Sequence, residues 1–283
     1  MLKNIILICD GLYIEKMSSS PEWDTLRRDM EKHNYTVFLK ATDCPENLCN
    51  ECSLQDTLFI SDSKDILEKL KEKGGYTIAF YHEGVTGLMG CTQFAIEGIE
   101  GLDPDYLEKV YQRYCGIPWY ITETERCTVR EMGPDDLDDL YELYADARVT
   151  QYTEALFADR EAERHYIEDY IENIYKYFGF GTWLIHRKED GVLIGRAGFN
   201  YRPGYNEAEL GFVIGVPFWR NGYAYEVCSH LLHLGKTVFE FDKIQALADK
   251  ENTASVSLLE KLGFCYAEDV TVDEKEYQRY LYG

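Results

Sequence analysis

The chain has 283 residues, a length that suits one large domain or two ordinary ones. With 45% hydrophobic and 14% aromatic residues it can bury a substantial core, which excludes a disordered chain. Lys and Arg number 29 against 51 Asp and Glu, and the resulting charge of −22 repels nucleic acid and anionic membranes while leaning weakly toward cationic partners such as small amines.

The opening "MLKNIILICDGLYIEK" carries an apolar run too short for a transmembrane helix and lacks a small-residue cleavage site. It reads as a buried first strand. No apolar run anywhere reaches the roughly 18 residues that a membrane span needs. The cysteines number nine, an odd count that points to free thiols in a reducing cytoplasm. Cys44, Cys49 and Cys52 cluster in "CPENLCNEC", but zinc wants four ligands and the nearest candidate, His33, lies outside. Loop thiols without a metal are expected.

Short apolar runs then alternate with helical patterns. "WDTLRRDMEKHN", "KDILEKLKEKG" and "DPDYLEKVYQRY" read as helices, and "YTVFLKA", "DTLFISDS" and "YTIAFYH" as strands. The alternation predicts a Rossmann-like domain over residues 1–121, with a doubly wound parallel sheet. Ligands of such sheets lie beyond the carboxyl ends of the strands, where Asp10 and Asp62 stand. The stretch "LFISDSKDILEKLKEKGGYTIAFYHEG", with the later "CTQFAIEGIEGLD", resembles the distal part of haloacid-dehalogenase-like hydrolases. That resemblance implies a nucleophile motif of Asp, any residue, Asp. "CDGLY" supplies Asp10 but places Leu12 where the second Asp belongs, so a degenerate, non-catalytic domain with a structural or sensing role is expected rather than a phosphohydrolase.

Pro118 and the polar stretch after it break the pattern, which predicts a domain boundary near residue 122. Residues 122–283 follow a different order. "RCTVREM" reads as a strand, "GPDDLDDLYELYADA" as a helix with Pro134 in its first turn, and "DREAERHYIEDYIENIYKYF" as a longer helix. Three strands follow, "GTWLIHR", "VLIGRAGFNY" and "EAELGFVIGV", and then the turn "PFWRNGYAYEV" opens a helix. A strand that feeds a glycine-bearing turn and a helix presents free N–H groups at a positive helix end, a geometry that suits a phosphate. Taken alone, the turn is equally compatible with a glycine required only for backbone reasons. "KIQALAD", "TASVSLLEKLG" and the closing strands "FCYAEDV" and "EYQRYLY" complete the chain.

This order, with "AELGFVIGVPFWRNGYAYEV", "ALADKENTASVSLLEKLGF" and the two closing strands, resembles the GNAT superfamily of N-acetyltransferases, in the branch of the ribosomal-protein alanine acetyltransferases. The resemblance implies an α+β domain with a mixed, mostly antiparallel sheet and acetyl-CoA as cosubstrate. It implies that the backbone of Ile214, Gly215 and Val216 hydrogen-bonds the pantetheine arm like an added strand, with Pro217 ending the pairing. Arg220, Asn221, Gly222, Tyr223, Ala224 and Tyr225 would cradle the pyrophosphate, with Gly222 and Ala224 at the family's small positions and Trp219 at the first, where Gln or Arg is common.

Glu209 matches the position of the general base, and Glu207 lies on the same strand face. An acidic strand residue is equally compatible with a solvated edge charge. Asn252 matches a cofactor-binding Asn and Ser255 a Ser near the thiol end, although both also suit a helix cap. The Tyr that serves many members as general acid is replaced by Leu259. Tyr152, Glu154 and Phe157 are candidates for the acceptor pocket, and His165, His186, His230 and His233 are read as structural. The expected activity is direct acetyl transfer to a primary amine of a small molecule or a protein N-terminus. A regulatory protein that binds acyl-CoA without turnover is the alternative. Nucleic-acid and membrane partners are not expected, and the oligomeric state is left open, a dimer included.

Overall fold

The computed structural model describes residues 1–41, 52–99 and 102–283. The chain divides into two compact units, Met1–Ile117 and Pro118–Gly283. The boundary expected near residue 122 falls inside a strand of the second unit, Tyr120–Glu123, so the division comes earlier, at Pro118. Cys44 and Cys49 lie outside the described residues, whereas Cys9, Cys91, Cys115, Cys127, Cys228 and Cys265 are free thiols.

The first unit is built on β1 (Asn4–Cys9), β2 (Thr36–Ala41), β3 (Thr57–Ser61), β4 (Tyr76–Tyr81) and β5 (Phe94–Glu97). These strands form one sheet in the order β2-β1-β3-β4-β5, with every pair parallel. Among the described residues four helices accompany it: α1 (Gly11–Ser18), α2 (Pro21–Lys32), α3 (Lys64–Glu72) and α4 (Pro104–Tyr114). β1 is apolar on both faces because both are covered: Ile5 and Leu7 join one apolar cluster, and Ile6 and Ile8 another. The strand order reverses between β1 and β3, the usual place for a ligand in such sheets. Helix starts follow their caps, as where Ser20 accepts from Trp23 N with Pro21 in the first turn, and where Asp103 accepts from Tyr106 N with Pro104.

The second unit holds a sheet of eight strands: β6 (Tyr120–Glu123), β7 (Cys127–Arg130), β8 (Thr182–Arg187), β9 (Leu193–Tyr201), β10 (Ala208–Ile214), β11 (Ile244–Ala248), β12 (Cys265–Val272) and β13 (Lys275–Tyr282). Their order is β12-β13-β11-β10-β9-β8-β7-β6. All pairs are antiparallel except β10 with β11. The helices are α5 (Leu137–Tyr144), α6 (Arg160–Tyr170), α7 (Tyr223–Thr237) and α8 (Thr253–Leu262). α6 continues into a π-helical turn, Ile171–Tyr175, which turns the Tyr175 ring into the core at 1% exposure. There the Tyr175 hydroxyl donates to Thr182 O and accepts from Met132 N. Among the described residues no helix is long and apolar enough to cross a membrane.

β8 and β9 approach closely at Gly198, whose register partners are Thr182 on β8 and Gly211 on β10. A Cβ added at Gly198 would fall on the Gly181 carbonyl oxygen and 2.8 Å from the Thr182 Cα, both of them backbone. Gly198→Ala is therefore expected to destabilise the second unit by about 3 kcal/mol, or roughly 6–12 °C in thermal unfolding. An unchanged melting temperature would show that the two strands can separate at no cost.

Candidate acyl-transfer site

The site grows from the point where two strands part. β10 stays paired with β9 through Ile214–Gly195, but it pairs with β11 only at Ala208–Ile244 and Glu209–Gln245. Beyond Glu209 the β11-facing edge of β10 has no strand partner. Gly211 lies on this stretch, and a Cβ added there would meet nothing within 4 Å, so the strand borders open space at mid-sheet.

The expectation of free backbone at Ile214 to Val216 needs correction for four of its polar groups. Ile214 O accepts from the Trp219 indole at 2.6 Å, Gly215 N donates to Ile194 O at 2.9 Å, and the carbonyls of Gly215 and Val216 accept from Phe218 N and Trp219 N. These groups are committed because the chain turns there into a short 3-10 segment, Val216–Phe218. The open edge lies earlier, from Leu210 to Val213. Gly215 itself is needed for packing, since a Cβ would stand 2.8 Å from Leu143 Cδ1.

After Trp219 the backbone takes two left-handed residues, Arg220 at φ 59° and Gly222 at φ 83°, and α7 begins at Tyr223. The N–H groups of Arg220 to Tyr225 meet no acceptor among the described residues. They form a concave set of donors at the positive end of a 15-residue helix. Arg220 makes no ion pair with any described residue, so its charge is available beside the donors.

A residue that the sequence reading missed fixes this loop. Arg126 donates from Nε to Glu226 Oε2 at 2.7 Å and from Nη1 to Asn221 O at 3.0 Å, and its guanidinium lies 4.4 Å from the Tyr223 ring centroid. It turns the Asn221 carbonyl away from the donor set. The Glu226 carboxyl would rise on burial, but the hydrogen bonds it accepts, Arg126 N among them, and the Arg126 charge hold it below its ordinary range. Nothing local to Arg126 signals a partner 100 residues away.

Glu209 sits at the apex where β10 and β11 diverge. Its carboxylate is held by a two-pronged bridge from Arg202, Nε to Oε2 at 2.6 Å and Nη2 to Oε1 at 2.8 Å, with Gln245 Nε2 3.5 Å from Oε2. Glu207 is bound to Arg279 Nη2 at 2.9 Å. On α8, Asn252 Oδ1 accepts from Ser255 N at 3.1 Å, so Asn252 caps the helix and keeps its amide N–H₂ unbound. Leu259 is fully buried and supplies no hydroxyl.

The matching family model, described as an acetyltransferase (GNAT) domain, spans residues 126–265. The chain is 34% identical over 143 residues to an uncharacterized N-acetyltransferase, p20, of Bacillus licheniformis, covering 80% of that protein and 50% of this chain. It is 28% identical over 145 residues to an uncharacterized N-acetyltransferase, YoaA, of Bacillus subtilis (strain 168), covering 82% of that protein and 51% of this chain. The chain belongs to the GNAT acetyltransferases. Among solved structures, a GNAT-family acetyltransferase from Bordetella pertussis shares the fold, with a TM-score of 0.51, 19% identity, and coverage of 58% of this chain and 100% of that one.

This acetyltransferase thus carries the acyl-transfer chemistry of its family in the second unit. Tyr152 donates to Glu251 O at 3.3 Å, joining the loop after α5 to the turn before α8. Phe157 lies against Tyr166, with ring centroids 6.0 Å apart, and Phe157 N donates to the buried Glu163 carboxylate at 2.8 Å. Glu154 is close enough to Tyr166 to act on it electrostatically. Three of the four histidines have ring partners: His165 pairs with Glu168, His230 Nε2 with Thr122 Oγ1, and His186 Nε2 with Arg130 Nη2. Burial first, and then the Arg130 charge, lower the His186 pKa, which keeps that ring neutral.

Proposed function

We propose that residues 118–283 transfer the acetyl group of acetyl-CoA to a primary amine, of a small molecule or a protein N-terminus, by direct attack in a ternary complex. The observation that carries this reading is the open donor set of Arg220 to Tyr225, next to a strand that has lost its neighbour. Phosphate oxygens suit the donors, and an extended amide-bearing arm suits the open edge of Leu210 to Val213. Ile214 to Val216 would line that arm through their side chains and Cα atoms. The unbound Asn252 amide would reach the same arm from α8.

Acetyl-CoA supplies the thioester that the amine attacks. Glu209 is proposed as the group that receives the amine proton, directly or through water. Its Oε1 accepts only from Arg202 among the described residues, and a carboxylate oxygen has room for a further hydrogen bond. Ser255, in the first turn of α8, is proposed to face the departing thiolate; with a thiol pKa near 8.5, departure without a strong acid is tolerable. Thermal unfolding tests the reading: acetyl-CoA at 100 times its dissociation constant is expected to stabilise the second unit by about 2.7 kcal/mol. No shift at millimolar acetyl-CoA would sink it.

For the first unit we propose a degenerate haloacid-dehalogenase-like domain without hydrolase activity. Asp62 accepts from Asp10 N at 3.1 Å and pairs with His82 Nε2 at 3.0 Å, at the carboxyl ends of β1, β3 and β4. Leu12 is 78% exposed where a second carboxylate would stand.

A further inference from the structure

Arg196 is a cation of the second unit whose surroundings do not account for its charge. It sits on β9 opposite Val213 of β10, so its side chain leaves the sheet on the same face as Gly211 and Glu209. Tyr144, Tyr166, Tyr170 and Tyr175 are close enough to act on its guanidinium electrostatically, and no carboxylate among the described residues forms an ion pair with it. Its single hydrogen bond is a weak one, from Nη2 to the Met132 sulfur at 3.8 Å, and its Nε is fully enclosed without a partner. A guanidinium carries five N–H donors in a planar fork, and enclosing one without an anion is costly.

The four tyrosines are not equivalent. Tyr170 donates to Asn200 Oδ1 and Tyr175 to Thr182 O, so both of those protons are spent. The hydroxyls of Tyr144 and Tyr166 make no hydrogen bond with any described residue. Tyr166 is 42% exposed and lies against Phe157 of the loop that reaches the turn before α8. Two free hydroxyls and an unpaired fork therefore share one neighbourhood of the second unit.

We infer that Arg196, with the Tyr144 and Tyr166 hydroxyls, binds a carboxylate on the amine acceptor, so that the acceptor is an amino acid or short peptide rather than a purely cationic amine. The inference rests on the transferase reading above and deepens it. A carboxylate satisfies the fork bidentately and takes a further donor from each hydroxyl. The acidic surface attracts the ammonium end of such a molecule, while the single recessed cation selects its other end.

The test uses the full chain, a panel of amino acids, and the amines obtained from each by loss of the carboxyl group, with acetyl-CoA and release of free thiol as the readout. The wild type is expected to favour the acid member of a pair about 10- to 100-fold in kcat/KM, through KM. In Arg196→Met that ratio is expected to fall to about 1, and Arg196→Lys, which keeps the charge without the fork, to lie between. The melting temperature of Arg196→Met is expected to match or exceed that of the wild type, because an unpaired enclosed charge is removed. A wild type that favours the amines, or an acid preference that survives in Arg196→Met, overturns the inference and leaves Arg196 a cation solvated by water. If no acceptor turns over, stabilisation of the coenzyme A-saturated protein by the amino-acid panel decides. A shift present in the wild type and absent from Arg196→Met supports the carboxylate site, and no shift in either overturns it. Failure of every amine while acetyl-CoA still binds would count against turnover and not against the carboxylate site.

Discussion

Replacing Gly222 by valine is expected to abolish acetyl-CoA binding while leaving the second unit folded. The reason is the backbone conformation. Gly222 takes φ 83°, and a β-branched residue pays a steric penalty of about 1–2 kcal/mol there. Space alone would not forbid the change, because an added Cβ meets only the flexible Arg126 Nη2 at 3.5 Å, an ordinary contact. The loop is expected to relax by rotating a peptide next to residue 222, which turns at least one N–H of the donor set out of the concave face. The peptides on either side of residue 222 can give: Asn221 and Gly222 are exposed, and Arg126 holds the Asn221 carbonyl but none of the loop's N–H groups. The stabilisation of about 2.7 kcal/mol at 100 times the dissociation constant is then lost, while the melting temperature of the free protein falls only slightly. A Gly222→Val variant that keeps the full acetyl-CoA shift would show that the phosphate lies elsewhere.

Glu209→Gln is expected to lower kcat by a factor of about 10² to 10⁴ with acetyl-CoA binding intact. The substitution keeps the shape of the side chain and can still accept from Arg202, but it cannot take a proton. Two observations favour Glu209 over Glu207 for this role. Glu209 stands at the last paired residue before β10 and β11 diverge, next to the open space over Gly211, whereas Glu207 is fastened to Arg279 within a group that also includes Glu268. The Arg202 bridge sets the competing explanation, in which Glu209 only anchors the segment after β9. Steady-state kinetics separate the two. A loss of melting temperature with kcat unchanged would assign Glu209 to the ion pair alone, and a loss of kcat at constant melting temperature would assign it to proton transfer.

Much of this protein was legible in its sequence. The alternation of short apolar runs and helical patterns in the first 117 residues predicted a parallel sheet, because a strand covered on both faces reads as a near-continuous apolar run, as residues 5–9 of β1 and 58–60 of β3 do. The donor loop was legible too, since a glycine between a strand and a helix marks a backbone position that few residues can take. Three elements escaped. α1 is only eight residues long and fully buries Met17 alone, with Tyr13 and Ile14 half-buried beside it, and its cap, Asp10, was read as a catalytic remnant instead. β5 and β6 are four residues each, too short for periodicity to register, and they exist because neighbouring strands pair with them.

What the sequence determined by itself was local: which segments alternate, which turn needs a left-handed residue, and which helix starts carry a cap. These depend on residues a few positions apart, and their physics is written in that spacing. Only the tertiary structure decided how the polar groups are spent. It committed the carbonyls of Ile214, Gly215 and Val216 to the turn, joined Arg126 to Glu226 across 100 residues, bridged Arg202 to Glu209, and left Arg196 without an ion pair among the described residues. A charge is satisfied or stranded by whatever the fold brings within about 3 Å of it, and no pattern along the chain encodes that.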